Sequence, residues 1–218
     1  MIKQKIYIGT VSSVIGTISS YKMTSLTDKE SEILIKLFKN FSTNYNANSI
    51  SKEVGLSPRG SLKILKRLEK NGILAGKKLG KAVFYKLNLQ DLYASKIMET
   101  TLIKETRTKA MRWIDEFKEI FDYTDIVLIF GSVIKNPKHA SDIDVLFVYK
   151  KKNYKIVSNF ILAKNKILFK KIHDIPQTIQ DLKENLKDNP AIIDAIKNGY
   201  VLHGYDKIVE VIKNVTIF

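Results

Sequence analysis

Two carboxylates, Asp142 and Asp144, stand one residue apart inside an apolar segment that runs to Val148. Side chains alternate across a strand, so both carboxylates would share one face while Ile143 points to the other. Carboxylates side by side repel each other, and a divalent cation relieves that repulsion. Oxygen ligands of this kind suit Mg²⁺ that is held partly by substrate phosphates. The spacing therefore predicts a magnesium site on a buried strand.

A second apolar segment, Ile126–Phe130, precedes this pair and ends in Gly131-Ser132. The composition predicts another buried strand, followed by a tight turn that opens a helix. Such a turn can offer backbone N–H groups and a hydroxyl to a phosphate. Nine residues, 133–141, separate Ser132 from Asp142. The two segments together predict a site for a metal-bound nucleotide.

Gly131-Ser132, the short spacer and Asp142-x-Asp144 resemble the signature of the minimal nucleotidyltransferases in the polymerase-β-like superfamily. The resemblance covers roughly the second half of the chain, including residues 189–204, which are similar to the family's last helix and strand. It implies transfer of a nucleoside monophosphate from a nucleoside triphosphate to a protein or small-molecule hydroxyl. Mg²⁺ would assist, with room for a second metal ion.

Carried over by residue, the resemblance implies that Gly131 and Ser132 hold the triphosphate and that Asp142 and Asp144 ligand Mg²⁺. The chain departs from the family pattern in its spacer, which is one residue short and lacks Arg and Gly. Lys135 and Lys138 would supply positive charge there, as point charges. Many family members use a third carboxylate on a neighbouring strand. Asp174 is the candidate for it, as a further catalytic residue.

These departures keep a non-enzymatic alternative open. In it, the chain is a transcription regulator whose nucleotidyltransferase-like domain is degenerate and senses nucleotide or holds a partner protein.

A third alternative comes from the family resemblance alone. Some minimal nucleotidyltransferases act as antitoxins that modify a partner toxin of the higher-eukaryote-and-prokaryote nucleotide-binding type. By that resemblance, a fused DNA-binding module would supply autoregulation.

The N-terminal half has the pattern of a helix-turn-helix followed by a hairpin. Thr27 and Glu30 have capping-box spacing at the start of a first helix. After a short second helix, Ser57 and Pro58 are typical of the N-cap and first position of a third helix. Residues 73–87 predict a hairpin with a lysine-rich tip. This order looks like a winged helix-turn-helix module.

Basic side chains recur on one face of the predicted third helix, opposite leucines that can enter a core. The basic residues are Arg59, Lys63, Lys66, Arg67 and Lys70, with Lys77, Lys78 and Lys81 at the predicted hairpin tip. A helix with a basic face and an apolar back suits the major groove of duplex DNA. Arg59, Lys63 and Arg67 are predicted to approach base edges, while phosphate contacts would dominate affinity.

The overall prediction is an α+β chain. Its parts are an N-terminal arm of unknown role (1–25), a winged helix-turn-helix domain (26–88), a linking helical region with a long helix (89–121), and a mixed-sheet α/β nucleotidyltransferase-like domain (122–218). Dimerisation is expected only by analogy with other winged helices.

Composition adds limits to these predictions. The net charge of +15 implies an anionic partner such as nucleic acid. The chain contains no Cys, which excludes disulfides, thiolate zinc sites and cysteine nucleophiles and fits a cytoplasmic location. Apolar segments fall short of the roughly 20 residues that a membrane span needs.

Overall fold

The computed structural model describes residues 26–215. The predicted arm, residues 1–25, lies outside the described residues. The helices are α1 (Asp28–Lys39), α2 (Ala47–Val54), α3 (Pro58–Lys70), α4 (Leu92–Lys109), α5 (Met111–Phe117), α6 (Ser132–Lys135), α7 (Tyr154–Ile167), α8 (Ile179–Asp188), α9 (Pro190–Asn198) and α10 (Tyr205–Val215). The strands are β1 (Tyr45–Asn46), β2 (Leu74–Leu79), β3 (Ala82–Leu87), β4 (Ile126–Phe130), β5 (Asp142–Val148), β6 (Lys171–Gln177) and β7 (Tyr200–His203). Over this part of the chain, no helix is both long enough and apolar enough to cross a membrane.

The first six elements form a winged helix. Helices α1, α2 and α3 precede the β2–β3 hairpin, and β1 pairs with β3 to give an antiparallel sheet in the order β1-β3-β2. Helices α2 and α3 form the helix-turn-helix, and the hairpin is the wing. This topology confirms the fold that the sequence predicted for the N-terminal half.

Local capping explains where these helices begin. The Glu30 backbone N–H donates to Thr27 Oγ1, while the Thr27 N–H donates to the Glu30 carboxylate at 2.9 Å, so both halves of the predicted capping box form. Ser57 accepts from the Gly60 N–H at 3.1 Å, and Pro58 occupies the first turn of α3. A cap of this kind contributes roughly 0.5–2 kcal/mol to helix stability.

The wing turns more tightly than the sequence predicted. Leu79 pairs with Ala82, so the turn consists of Gly80 and Lys81 alone. Gly80 has φ +60°, the left-handed backbone that the first position of a type II′ hairpin turn requires. Lys77 and Lys78 therefore lie within β2 rather than at the tip, because the pairing between β2 and β3 continues up to the turn.

The second sheet is mixed, in the order β6-β5-β4-β7. Strand β4 runs antiparallel to β5 and β7, whereas β5 and β6 are parallel and are joined through α7. A parallel pair needs such a crossover connection, and a helix usually provides it. The mixed α/β sheet agrees with the fold class predicted for the C-terminal half.

One apolar core runs from the winged helix into this second sheet. Phe38 of α1, Leu102 of α4, Leu146 of β5 and Ile212 of α10 all belong to a single buried cluster. Helix α4, predicted as a linking element, contacts α1, β7 and α10. The linking region is therefore part of the core, because its apolar face is covered from both sides.

A second cluster covers the opposite face of the mixed sheet. Trp113 and Phe117 of α5 pack with Phe147 of β5 and with Val157 of α7. The Phe117 and Phe147 rings meet edge to face with centroids 5.9 Å apart. The later part of the linking region therefore packs against the C-terminal sheet.

A buried ion pair ties α1 to the rest of the chain. Lys39 Nζ donates to Glu105 Oε1 of α4 at 2.8 Å and to the Gly199 carbonyl after α9 at 2.7 Å. The ammonium group also lies 4.7 Å from the centroid of the Tyr200 ring. Burial lowers the pKa of Lys39, and the Glu105 carboxylate opposes that shift. Two other segments, α4 and the turn before β7, therefore converge on one ammonium group of α1.

We predict that Lys39→Ala lowers the free energy of unfolding by about 3–5 kcal/mol, because Glu105 would be left buried without its cation. Lys36→Ala is the matched control on the same helix: Lys36 pairs with Glu53 at 2.6 Å in a partly exposed position. That control is expected to change the free energy of unfolding by about 0–1 kcal/mol. Urea unfolding of both variants measures the difference, and equal losses would contradict the prediction.

Candidate metal centre and nucleic-acid interface

Asp142 and Asp144 occupy the start of β5, where the sequence placed them. Both are half-buried on one face, while Ile143 is buried on the other face. The strand holds them there because Val145 and Phe147 lock the opposite face into the core. The predicted carboxylate pair is therefore present as a rigid unit on a paired strand.

His173 of β6 joins the pair. The parallel register sets His173 beside Asp144, and its Nδ1 lies 3.0 Å from Asp144 Oδ1. One ligand atom from each of Asp142, Asp144 and His173 lies within 4.8 Å of the others. Sequence reasoning missed His173, because its place depends on the β5–β6 register.

Asp174, the predicted third carboxylate, is not brought to the pair. The register sets it beside Val145, on the opposite face of the sheet from Asp144. On that face, burial is the largest cause that raises the pKa of Tyr149, and the negative charge of Asp174 adds to it. Neighbouring residues in a strand point in opposite directions, so His173 and Asp174 cannot both face Asp144. The structure thus replaces the expected carboxylate with an imidazole.

Gly131 is needed for the close approach of β4 to the carboxylate. It has φ +77° and ψ −158°, a backbone conformation that L side chains rarely adopt. A Cβ at this position would overlap Asp144 Oδ2 and lie 2.9 Å from Asp144 Cγ. One Asp144 oxygen is thus directed toward His173 and the other toward Gly131.

The remaining predicted nucleotide contacts lie on the segment between the two strands. Ser132 begins α6 with an exposed side chain, Lys135 ends that helix, and Lys138 is exposed in the following loop. Lys170 Nζ donates to the Ala140 carbonyl and ties this loop to the start of β6. Loop, turn and carboxylates therefore lie at the same end of the sheet.

The basic face of α3 is exposed as predicted. Arg59, Lys63, Lys66 and Lys70 are exposed, while Leu65 and Leu68 are buried in the core. In the wing, Lys78 shares a strand face with Gly76 and its cross-strand partner Tyr85. This is the face next to α3, because Gly76 lies close to the Glu69 side chain of that helix. Lys77 lies on the opposite face, and Lys81 lies in the turn.

Arg67 has a structural role that its spacing does not reveal. It pairs with Glu30, whose side chain is only 5% exposed and which also caps α1. The ion pair holds α3 against the start of α1. Arg67 therefore has a contact that positions the helix, and its approach to base edges stays a prediction.

Comparisons with known proteins give structural matches only. No protein-family model matches the chain, and no curated protein matches it by sequence. Solved structures that are similar include the adhesin competence repressor AdcR of Streptococcus pyogenes, with a TM-score of 0.33 and 17% identity over 64% of this chain and 79% of that one. Lactococcus lactis ZitR matches with a TM-score of 0.31 and 16% identity over 75% of this chain and 84% of that one, including a form in complex with DNA. These scores are low, so the winged-helix assignment rests on the strand order described above.

The titration of His173 tests the geometry of the carboxylate pair. Its hydrogen bond to Asp144 is the largest cause that raises the pKa of His173 above its ordinary value of 6.5, with smaller contributions from the charges of Asp144, Asp142 and Asp174. The contact therefore stabilises the fold fully below pH 6.5, and this stabilisation is lost as the pH rises through the folded-state pKa.

We predict that NMR titration in the presence of a chelator gives His173 a pKa above 6.5 in the native chain. Asp144→Asn should lower it more than Asp174→Asn, because only Asp144 accepts the hydrogen bond. An equal effect of the two variants would show that the register assigned to β6 is incorrect.

Proposed function

We propose that this protein is a DNA-binding regulator of the winged-helix type. The observation that carries the proposal is the exposed basic face of α3, supported from behind by Leu65 and Leu68. A rigid helix with this distribution can enter the major groove while its apolar side stays in the core. The net charge of +15 adds a general attraction to the phosphate backbone.

The contacts divide by their position on the winged helix. Arg59, in the first turn of α3, has the planar donor group suited to a base edge. Lys63, Lys66 and Lys70 follow along the helix and suit phosphates on either side of the groove. Lys78 and Lys81 would extend these phosphate contacts along the wing.

We predict that Lys63→Ala/Lys66→Ala weakens binding to all duplex sequences alike. Loss of two phosphate contacts should make the slope of log K against log salt concentration shallower by about 1.8, since each contact contributes about 0.9. Fluorescence anisotropy at several salt concentrations measures this slope.

Lys155→Ala/Lys166→Ala is the charge-matched control, because it also removes two exposed lysines, and both lie on α7 beside the mixed sheet rather than on the winged helix. It should leave the slope almost unchanged. If the control reduces the slope as much as the α3 variant, affinity depends on bulk charge and the α3 interface is not the DNA-binding surface.

The C-terminal domain, we further propose, binds a nucleoside triphosphate together with a divalent cation. This is supported by the carboxylates of Asp142 and Asp144 on one face and by the tight turn at Gly131 beside them. The cation would neutralise the triphosphate charge and allow it to lie next to two carboxylates. Ser132, Lys135 and Lys138 would contact the phosphates from the segment that connects β4 to β5.

We propose that this site senses nucleotide rather than transfers it. His173 stands where a third carboxylate was expected, so the oxygen-only arrangement of the family pattern is absent from this face of the described sheet. Monophosphate transfer remains the second candidate function, favoured by the strand–turn–helix–strand order from β4 to β5. In that case the residues would act by positioning and charge neutralisation.

We predict that Asp142→Asn/Asp144→Asn abolishes metal-dependent ATP binding in calorimetry. Asp174→Asn is the matched control, because it makes the same chemical change on the opposite face of the sheet, and it should bind ATP as the native chain does. Loss of binding only in the Asp174 variant would contradict the site. Metal-dependent release of pyrophosphate that is lost in the double variant would raise transfer above sensing.

A further inference from the structure

We infer that the centre formed by Asp142, Asp144 and His173 selects a first-row transition-metal dication over Mg²⁺, with His173 as the third protein ligand. The inference rests on the proposed metal site and specifies its cation. It departs from the oxygen-only site that the sequence predicted, because the structure supplies a nitrogen donor in place of a third carboxylate.

The geometry suits a single small cation. Two ligands that each lie about 2.1 Å from one ion are at most about 4.2 Å apart. The ligand atoms of the three side chains lie within 4.8 Å of one another. Side-chain rotation of a few tenths of an ångström brings them into that range. All three residues belong to paired strands, which hold their backbones in place.

The donor set decides which cation is preferred. Mg²⁺ favours oxygen ligands and retains several waters. Imidazole suits Zn²⁺ and other first-row transition metals, which also accept carboxylates. An additional nitrogen donor therefore strengthens binding of Zn²⁺ and Co²⁺ most, and it strengthens binding of Mn²⁺ less than these but more than binding of Mg²⁺.

His173 has few structural reasons to lie where it does. Its side chain is 67% exposed, so it is not a core residue, and its ring contacts the half-buried carboxylate of Asp144. The rival arrangement is purely electrostatic: a protonated imidazole would itself neutralise the carboxylates, and a metal would be excluded. The two arrangements predict opposite effects of removing the imidazole.

The test is calorimetric titration of the full chain with Mn²⁺, Zn²⁺ and Mg²⁺ in separate experiments. The native chain should bind Mn²⁺ and Zn²⁺ at least tenfold more tightly than Mg²⁺. His173→Ala should weaken Mn²⁺ and Zn²⁺ binding by at least about tenfold and leave Mg²⁺ binding nearly unchanged. His173→Asp should restore an oxygen-only site and reduce the difference between the affinities for Mn²⁺ or Zn²⁺ and for Mg²⁺. His139→Ala, another exposed histidine at this end of the sheet, is the control and should have no effect.

Pulsed electron paramagnetic resonance gives a direct readout. Bound Mn²⁺ should show nitrogen coupling in the native chain and in His139→Ala, and the coupling should vanish in His173→Ala. This signal reports ligation itself, so a loss of folding would be recognised by the loss of bound Mn²⁺ altogether. In that event His173→Gln, which keeps a polar side chain, is measured in the same way.

Three outcomes would overturn the inference. The first is equal affinity for Mg²⁺ and the transition metals. The second is Mn²⁺ binding without nitrogen coupling. The third is tighter metal binding in His173→Ala, as the electrostatic rival requires. Any of these three results, found together with Mg²⁺-dependent ATP binding that Asp142→Asn/Asp144→Asn abolishes, would leave the proposed nucleotide site standing while overturning this inference, and DNA binding is measured independently of both.

Discussion

The buried Lys39–Glu105 pair is the contact on which the arrangement of the two halves depends. It joins α1 of the winged helix to α4, and through the Gly199 carbonyl to the turn before β7. Removing an ammonium and a carboxylate from water is unfavourable, so the pair persists only where hydrogen bonds are well aligned. That requirement restricts how the apolar faces of α1, α4 and α10 can be stacked. A continuous core then holds the winged helix, with the basic face of α3, at a defined place relative to the mixed sheet.

The candidate metal centre depends on a different constraint, the repulsion between Asp142 and Asp144. Strand β5 holds them on one face, and the two neighbouring strands approach Asp144 from either side. His173 approaches from the parallel neighbour β6, and Gly131 allows the β4 turn to come close to Asp144. The register that brings His173 to this face explains why a histidine stands where a carboxylate was expected, and the cation proposed above would lie among these three side chains.

Positive charge is used in two ways in the winged helix. Arg59 and Lys63 point outward and are available for DNA, whereas Arg67 is engaged with the buried Glu30. That ion pair links the start of α1 to the exposed face of α3. Arg67 therefore contributes both to the stability of the winged helix and to the position of its basic face, so substitutions at Arg67 would affect both.

The sequence by itself determined the local structure and the carboxylate pair. Thr27 and Ser57 cap their helices, the β4 and β5 strands lie where apolar runs predicted them, and Asp142 and Asp144 share a face, because caps and strand alternation depend on residues close in the chain. Only the tertiary structure decided that His173 joins the site while Asp174 faces away, and that Lys39 bridges the two halves. Those outcomes depend on the register between β5 and β6 and on contacts between residues up to 160 positions apart, which local patterns do not specify.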